Sequence, residues 1–229
     1  MNIFLKRYYD MLYPESLKEN EYVCLFVVKT DEEGNPVCDA DGNEITFHRF
    51  VKNFEQYEEC VEKFKYNFHV YTALATVKAN RTGELHRRES DMRQRRVLFI
   101  DFDKKDYEDL HTAQEFTQMI KDKLPDLFLH ACYDSGHGYH YYVIVDPTCK
   151  VKELSELNKE ICQIVGADTN ACKVTQVARV PGTYNRKRPD KDGKFPMVKE
   201  IDHYLNHEVT SQNFHTCDVD YIRRRIENA

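Results

Sequence analysis

The sequence lacks the roughly 20-residue apolar run that a membrane-spanning helix needs. Its first residues, Met-Asn-Ile-Phe-Leu-Lys-Arg-Tyr-Tyr, show neither a long apolar stretch nor an A-x-A-like cleavage site. A membrane span and a secretory leader are therefore excluded, and a cytoplasmic location is expected. No C-x-x-C pair and no matching H-x₃₋₅-H is present. The eight cysteines, Cys24, Cys38, Cys60, Cys132, Cys149, Cys162, Cys172 and Cys217, are scattered. No structural zinc is expected, and reduced, buried thiols are. Net positive charge is missing too: 33 Lys and Arg against 39 Asp and Glu leave −6. That excludes coating of nucleic acid by bulk charge but leaves room for a local basic groove. Tryptophan is absent, although Tyr numbers 15 and Phe 13. There is no internal repeat and no low-complexity segment. What remains is 229 residues, 41% hydrophobic and 31% charged. This is a globular composition, long enough for one large domain or two small ones.

The charge is unevenly spread. Residues 31–45 hold Asp31, Glu32, Glu33, Asp39, Asp41 and Glu44 with no Lys or Arg. They read as a solvated acidic turn region between strands at Tyr22–Val28 and Ile45–Phe50. Residues 78–96 reverse the sign: Lys78, Arg81, Arg87, Arg88, Arg93, Arg95 and Arg96 face only Glu84, Glu89 and Asp91. A second basic stretch, 173–194, holds Lys173, Arg179, Arg186, Lys187, Arg188, Lys191 and Lys194. Each alone reads as a solvated face. Two on an acidic chain point to a localised anion site.

From residue 53 the periodicity sharpens. Asn53 caps an expected helix with Phe54, Tyr57, Val61 and Phe64 on one face. Val70–Val77 reads as a strand. Val97–Ile100 is a buried-strand run ending in Asp101-Phe102-Asp103. Thr112 and Glu115 form a capping box, opening a helix with Ala113, Phe116, Ile120 and Leu124 that Pro125 stops. Leu127–Tyr133 and Tyr139–Val145 read as strands around the turn Asp134-Ser135-Gly136-His137-Gly138. Leu154, Leu157, Ile161 and Val165 mark a second helix, ended by Gly166, and a short strand follows near Val174–Val180. The fold class is α+β. From Val97 the order is βαββαβ, the ferredoxin-like or RRM-like pattern. In that pattern the third and fourth strands flank the first.

Strand alternation puts Asp101 and Asp103 on one face. Two adjacent carboxylates repel, and a hard divalent cation, Mg²⁺ or Mn²⁺, removes that problem. Gly136 and Gly138 let backbone N–H groups approach an anion closely. His140 reaches toward the acid pair. Asp168 is placed at the start of the fourth strand, against the first. Asp134 precedes the glycine turn. Asp146, at the far end of its strand, sits roughly 20 Å away at about 3.3 Å per residue. Acids and a histidine from distant segments are what a two-metal phosphoryl-transfer site needs. Arg179 and Lys187 flank the tight Pro181-Gly182 turn, placed to clamp phosphates.

These motifs resemble those of the archaeo-eukaryotic primase superfamily, the primase-polymerases of the plasmid and phage type. The apolar run Phe99-Ile100 ending Asp101-Phe102-Asp103 is similar to the family's first motif. Ser135-Gly136-His137-Gly138-Tyr139-His140 is similar to the second, and Asp168 to the third. Arg179 to Lys187 resembles the R-x-P-G-T-x-N-x-K run of those members. His69-Val70-Tyr71 with Asn80-Arg81 resembles the segment before the first motif. The resemblance covers roughly residues 65–190. It implies an RRM-like palm behind an N-terminal α/β module that holds template. It implies Asp101, Asp103 and Asp168 as ligands for two Mg²⁺ or Mn²⁺ ions. Ser135, Gly136, Gly138, His140, Arg179 and Lys187 would hold the nucleoside triphosphate. Template-directed attack of a 3′-hydroxyl on the α-phosphate is the implied chemistry. Single-stranded DNA is the implied partner, with Arg81, Arg87, Arg88, Arg93, Arg95 and Arg96 as backbone contacts. The chain has no P-loop, so a helicase or other replication domain is expected in trans or in a longer protein.

The expected division is an N-terminal template-binding module over 1–95, the catalytic palm over 96–205 and a helical extension over 206–229. Two readings compete. A rolling-circle Rep endonuclease needs His-apolar-His beside a catalytic tyrosine, and His137-Gly138-Tyr139-His140 has the wrong spacing. A non-catalytic RRM-type binding module carries aromatics on its open sheet face, where this chain carries Asp101 and Asp103.

Overall fold

Alternating apolar residues build one antiparallel sheet, and amphipathic helices cover both of its faces. The computed structural model describes residues 1–14, 16–148, 150–201 and 216–227. Cys149 and half of the expected C-terminal extension lie outside the described residues. The strands are β1 (Glu21–Lys29), β2 (Thr46–Val51), β3 (Phe68–Ala73), β4 (Ala75–Lys78), β5 (Met92–Asp103), β6 (Ala131–Asp134), β7 (Gly138–Thr148), β8 (Val177–Arg179) and β9 (Lys199–Glu200). Their order is β8-β3-β1-β4-β5-β7-β6-β9, with β2 also on β1, and every pairing is antiparallel.

The expected strand Val70–Val77 is broken at Leu74. β3 and β4 follow one another along a single edge of β1, whose other edge holds β2. On the far side of this ribbon, β4 pairs with β5 and β3 pairs with β8. The sheet therefore forks at Leu74. The Leu74 N–H donates to the Gln176 carbonyl at 3.0 Å, holding the vertex. The β4–β5 and β5–β7 registers both shift there, between Ala75 and Val77 and between Arg95 and Val97.

Five helices accompany the sheet among the described residues: α1 (Ile3–Leu12), α2 (Phe54–Phe64), α3 (Ala113–Lys123), α4 (Val151–Val165) and α5 (Val219–Ile226). α1 and α2 pack Leu5, Tyr8, Leu12, Tyr57 and Val61 onto one face, against Val23, Leu25, Val27, Phe99 and Tyr142. α3 and α4 pack Phe116, Ile120, Leu157 and Ile161 onto the other, against Leu98, Ile100, Phe102 and Tyr141. Asn53 caps α2 through the Gln56 N–H, and Thr112 with Glu115 forms the capping box of α3. Gly166 ends α4 at φ +84°, a conformation glycine adopts without strain.

The structure corrects one expectation. β5, α3, β6, β7 and α4 follow the expected order, with β7 between β5 and β6. The last strand, however, does not flank the first: β8 pairs with β3. Pro181 ends it after Arg179, and its three residues prolong the N-terminal ribbon. The division at 95/96 falls inside β5, and the sheet runs through it.

Candidate active site

The place expected for a fourth strand beside β5 is taken by a side chain and a turn. The Asn158 carboxamide, inside α4, donates to the Phe99 carbonyl at 2.7 Å and accepts from the Phe99 N–H. One ladder step on, the Asp168 N–H donates to the Asp101 carbonyl at 3.0 Å. Buried backbone groups must find partners, and here a helix side chain and a loop supply them. Asp168 is thus fixed beside Asp101 by the turn after α4. Its carboxylate caps the 3₁₀ turn Thr169–Cys172, accepting from the Asn170 N–H at 2.8 Å.

Across the other edge, Asp101 stands opposite His140 and Asp103 opposite Gly138. A Cβ on Gly138 would lie 1.9 Å from the Phe102 carbonyl oxygen, so only glycine lets β7 come this close. Gly136, at φ +92°, occupies the first central position of the β6–β7 hairpin, where a type II′ turn needs glycine. The Asp134 carboxylate accepts from the Gly136 N–H at 2.7 Å and faces Lys104, so it shapes the hairpin. The Asn185 carboxamide donates to the Ser135 carbonyl at 2.7 Å, tying the turn after β8 to the same hairpin.

The result is a cleft of about 380 Å³ in the gap of the fork. Asp101, Asp103, Asp168, Ser135, Gly138, His140, Arg179 and Lys187 all line it. Carboxylates lie on the β5 side and cations on the β8 side. Tyr71, Lys105, Gln176 and Arg188 also line it and were not singled out from sequence. Arg188 belongs to the basic stretch 173–194 and Lys105 follows the acid pair by two residues. Tyr71 has a sequence signal only as part of His69-Val70-Tyr71, in the segment resembling the one before the first motif.

Electrostatics separate Asp101 from Asp103. Burial, and then the nearby Asp168 and Asp103 charges, push Asp101 up to about 7. Burial also raises Asp103, but hydrogen bonds from Lys105 outweigh it and hold Asp103 below its ordinary value. The Lys105 ammonium is 3.0 Å from that carboxylate. His140 is pulled down to about 3, by burial first and by Arg179 second. The 3.6 Å contact between His140 Nε2 and Asp101 is therefore not an ion pair near neutral pH; the imidazole is neutral. Its Nδ1 is buried without a partner. Arg179 stacks 4.8 Å over Tyr71 and reaches His69 Nδ1 at 3.4 Å, and burial lowers its pKa.

The six arginines expected to contact nucleic acid fare differently. Arg81 and Arg88 are exposed. Arg93 bonds the Ser90 and Met92 carbonyls. Arg96 donates to the Asp10 and Tyr13 carbonyls behind α1, which makes it a fastener of that helix. Arg87 lies over the Phe26 ring and bonds the Thr175 carbonyl. Arg95 is the clear correction. It is 1% exposed at the fork vertex, donating to the Val97 carbonyl at 2.8 Å and to Asn158 Oδ1 at 3.2 Å. A phosphate cannot reach it. The competing readings lose their geometry as well. The Tyr139 hydroxyl donates to the His111 carbonyl, within the α3-side core and away from the cleft. The sheet face that an RRM-type module would leave open is covered at Phe99 and Tyr142 by α1.

The chain has the fold of the archaeo-eukaryotic primase-polymerase domains. The AEP domain of the cyanophage S-2L primase-polymerase superposes with a TM-score of 0.55 at 12% identity, over 89% of either chain. The primase RepB′ gives 0.55 at 11%, over 98% of this chain and 62% of that one. The catalytic domain of RepB′, solved in complex with initiator DNA, gives 0.52 at 11%, over 98% and 92%. No protein-family model and no curated protein matches the sequence. Among the described residues no helix is long and apolar enough to cross a membrane.

Proposed function

We propose that this chain is a DNA primase-polymerase domain that joins nucleotides on a single-stranded DNA template. The observation that carries the reading is the cleft. Three carboxylates from two segments line one wall, and Arg179, Lys187 and Arg188 line the other. That is the charge pattern a triphosphate with divalent cations requires. The likeness in fold to RepB′, whose catalytic domain was solved with initiator DNA, supports a DNA partner. A helicase or other replication domain would act in trans or in a longer protein, and an RRM-like description of the β5–α4 segment belongs to the same proposal.

The donor chemistry fits Mg²⁺ or Mn²⁺. Asp101, Asp103 and Asp168 offer hard oxygens. Asp101, half-buried against two like charges, is the group a cation would relieve. Among the described residues no three such side chains form a ready cage: Lys105 holds Asp103 and Asn170 holds Asp168. A bound cation would supply charge neutralisation at the reacting phosphate. Ser135, Gly136 and Gly138 shape the wall where the triphosphate lies. Arg179 and Lys187 bear on its oxygens, and neutral His140 contributes one hydrogen bond rather than a charge.

The test is incubation with single-stranded DNA, labelled nucleotides and Mn²⁺ or Mg²⁺, with and without a primer. No incorporation with either ion on a primed template overturns the reading.

Cation binding is expected to be proton-linked. Asp101 must ionise to bind, and its raised pKa of about 7 means it holds a proton below that pH. His140, neutral throughout, does not oppose this. Apparent Mn²⁺ affinity should rise steeply from pH 6 to 7 and flatten by pH 8. Calorimetry in buffers of different ionisation enthalpy should find about one proton released at pH 6 and close to none at pH 8. Affinity independent of pH would show that Asp101 is not a ligand.

Arg179→Ala and Lys187→Ala should each raise the KM for nucleotide about tenfold or more while template affinity stays nearly unchanged. The charge-assisted bonds they would make carry about 1.5–3 kcal/mol each. Weaker template binding with an unchanged KM would assign them to the nucleic-acid backbone instead.

A further inference from the structure

The sheet face opposite α1 and α2 carries a line of three rings from three strands, ending at an arginine on a fourth. His48 on β2 stands across from Phe26 on β1, Phe26 from Tyr71 on β3, and Tyr71 from Arg179 on β8. Neighbours touch along the whole line. The Phe26 and His48 centroids are 5.1 Å apart and inclined by 34°, and the Phe26 and Tyr71 centroids 6.0 Å and 32°. The Arg87 guanidinium sits 5.1 Å over Phe26, as Arg179 sits 4.8 Å over Tyr71. Burial, and then Arg87 and His86, hold His48 below its usual pKa, so its ring is neutral.

Along β1 and β3, access is confined to this line. On β1 and β3 the flanking positions, Cys24 and Ala73 on one side and Val28 and His69 on the other, are buried. His48 is exposed, and Phe26 and Tyr71 are half-buried. Three inter-strand steps of about 4.8 Å give the strip a length of about 14 Å. One end opens at β2. The other, at Tyr71 and Arg179, is the wall of the cleft. Flat rings interleaved with guanidinium groups present the two chemistries that bind single strands without regard to sequence, base stacking and phosphate pairing.

We propose that the line His48–Phe26–Tyr71 is a stacking platform for the bases of single-stranded DNA, leading the strand to the cleft whose wall begins at Arg179. The role as a template track rests on the primase-polymerase reading; the binding chemistry does not.

The absence of tryptophan supplies the probe. A Phe26→Trp variant carries one indole, whose emission a stacked base should quench when oligothymidylate is added. An indole placed by Phe128→Trp, outside the platform, should not respond. Phe26→Leu keeps apolar volume and loses the ring face, and His48→Ala removes an exposed ring. Each should weaken oligothymidylate binding about tenfold. Neither should change the slope of log affinity on log salt, because stacking releases no counterions. Arg87→Ala should lower that slope by about 0.7. Melting temperatures and circular dichroism check that the variants fold. If the wild type binds and extends primed DNA while both ring variants bind normally and the indole is not quenched, the platform is wrong and the reading of the cleft stands. If the ring variants lose binding but no condition yields incorporation, the platform stands and the primase-polymerase reading falls. A wild type that binds no oligothymidylate overturns the platform.

Discussion

Asp101→Asn should abolish nucleotide incorporation while the melting temperature of the metal-free protein holds or rises. The carboxylate is half-buried with Asp168 and Asp103 nearby, and folding has already pushed it up to about 7. Above that pH it is ionised at a cost in stability, because its folded pKa exceeds its unfolded one. The amide keeps the volume and removes the charge. In the reaction the same charge would hold the cation that neutralises the developing phosphate. Losing one such stabilising group costs about a thousandfold. Asp168→Asn should behave alike, since its N–H pins it to the Asp101 carbonyl. Asp134→Asn should keep incorporation within a few fold, because that carboxylate serves the hairpin. Single-turnover incorporation beside thermal melts reads all three. Near-normal incorporation by Asp101→Asn would remove it from the site. Asp134→Asn proving worse than Asp168→Asn would reassign the third acid.

Asn158→Leu should be the most destabilising of the substitutions considered. One fully buried carboxamide serves the N–H and carbonyl of Phe99 and a nitrogen of Arg95. Leucine suits the helix and fills similar space, but leaves two backbone groups and a buried cation short of partners. Each such group costs about 1–3 kcal/mol, more where charge is involved. A loss of about 3 kcal/mol is expected, or about 6–12 °C in melting temperature for a chain of this size. Adding Arg95→Met removes the stranded charge and should recover part of the loss, a coupling that a double-mutant cycle isolates. Additive effects would mean that Asn158 and Arg95 do not act together.

How much of this was legible in the sequence depended on range. Asp101 and Asp103 share a face because strand alternation demands it, and His140 meets Asp101 because the strand after the glycine turn runs antiparallel beside β5. Asp168 was placed beside Asp101 for the wrong reason: a strand was expected where Asn158 and a 3₁₀ turn complete the edge of β5. Nothing in the period of Val177–Arg179 says that its partner is β3, about a hundred residues upstream. Counting charge in 78–96 could not tell surface from interior, and the register shift at Arg95–Val97 turned Arg95 inward. α1 was readable. Asn2 caps it and Leu5, Tyr8, Tyr9 and Leu12 follow helical spacing, a signal that the absence of a leader pattern does not carry. The ring platform had no signal, since its members are neighbours across strands and strangers along the chain.

The fork at Leu74 makes the slot between β5 and β8 one of fixed gauge. Both prongs are hydrogen-bonded to the same ribbon, and their root is locked by the Leu74–Gln176 bond, the Asn158 carboxamide and the inward Arg95. Spreading the prongs would tear ladder bonds rather than swing a hinge. The slot therefore acts as a caliper, not as a jaw. What enters would meet that width before any residue recognises it, and adjustment around a bound molecule would fall to side chains at the rim, such as that of Lys187. On the primase-polymerase reading, a strand threaded through such an opening would advance by sliding past a stationary frame.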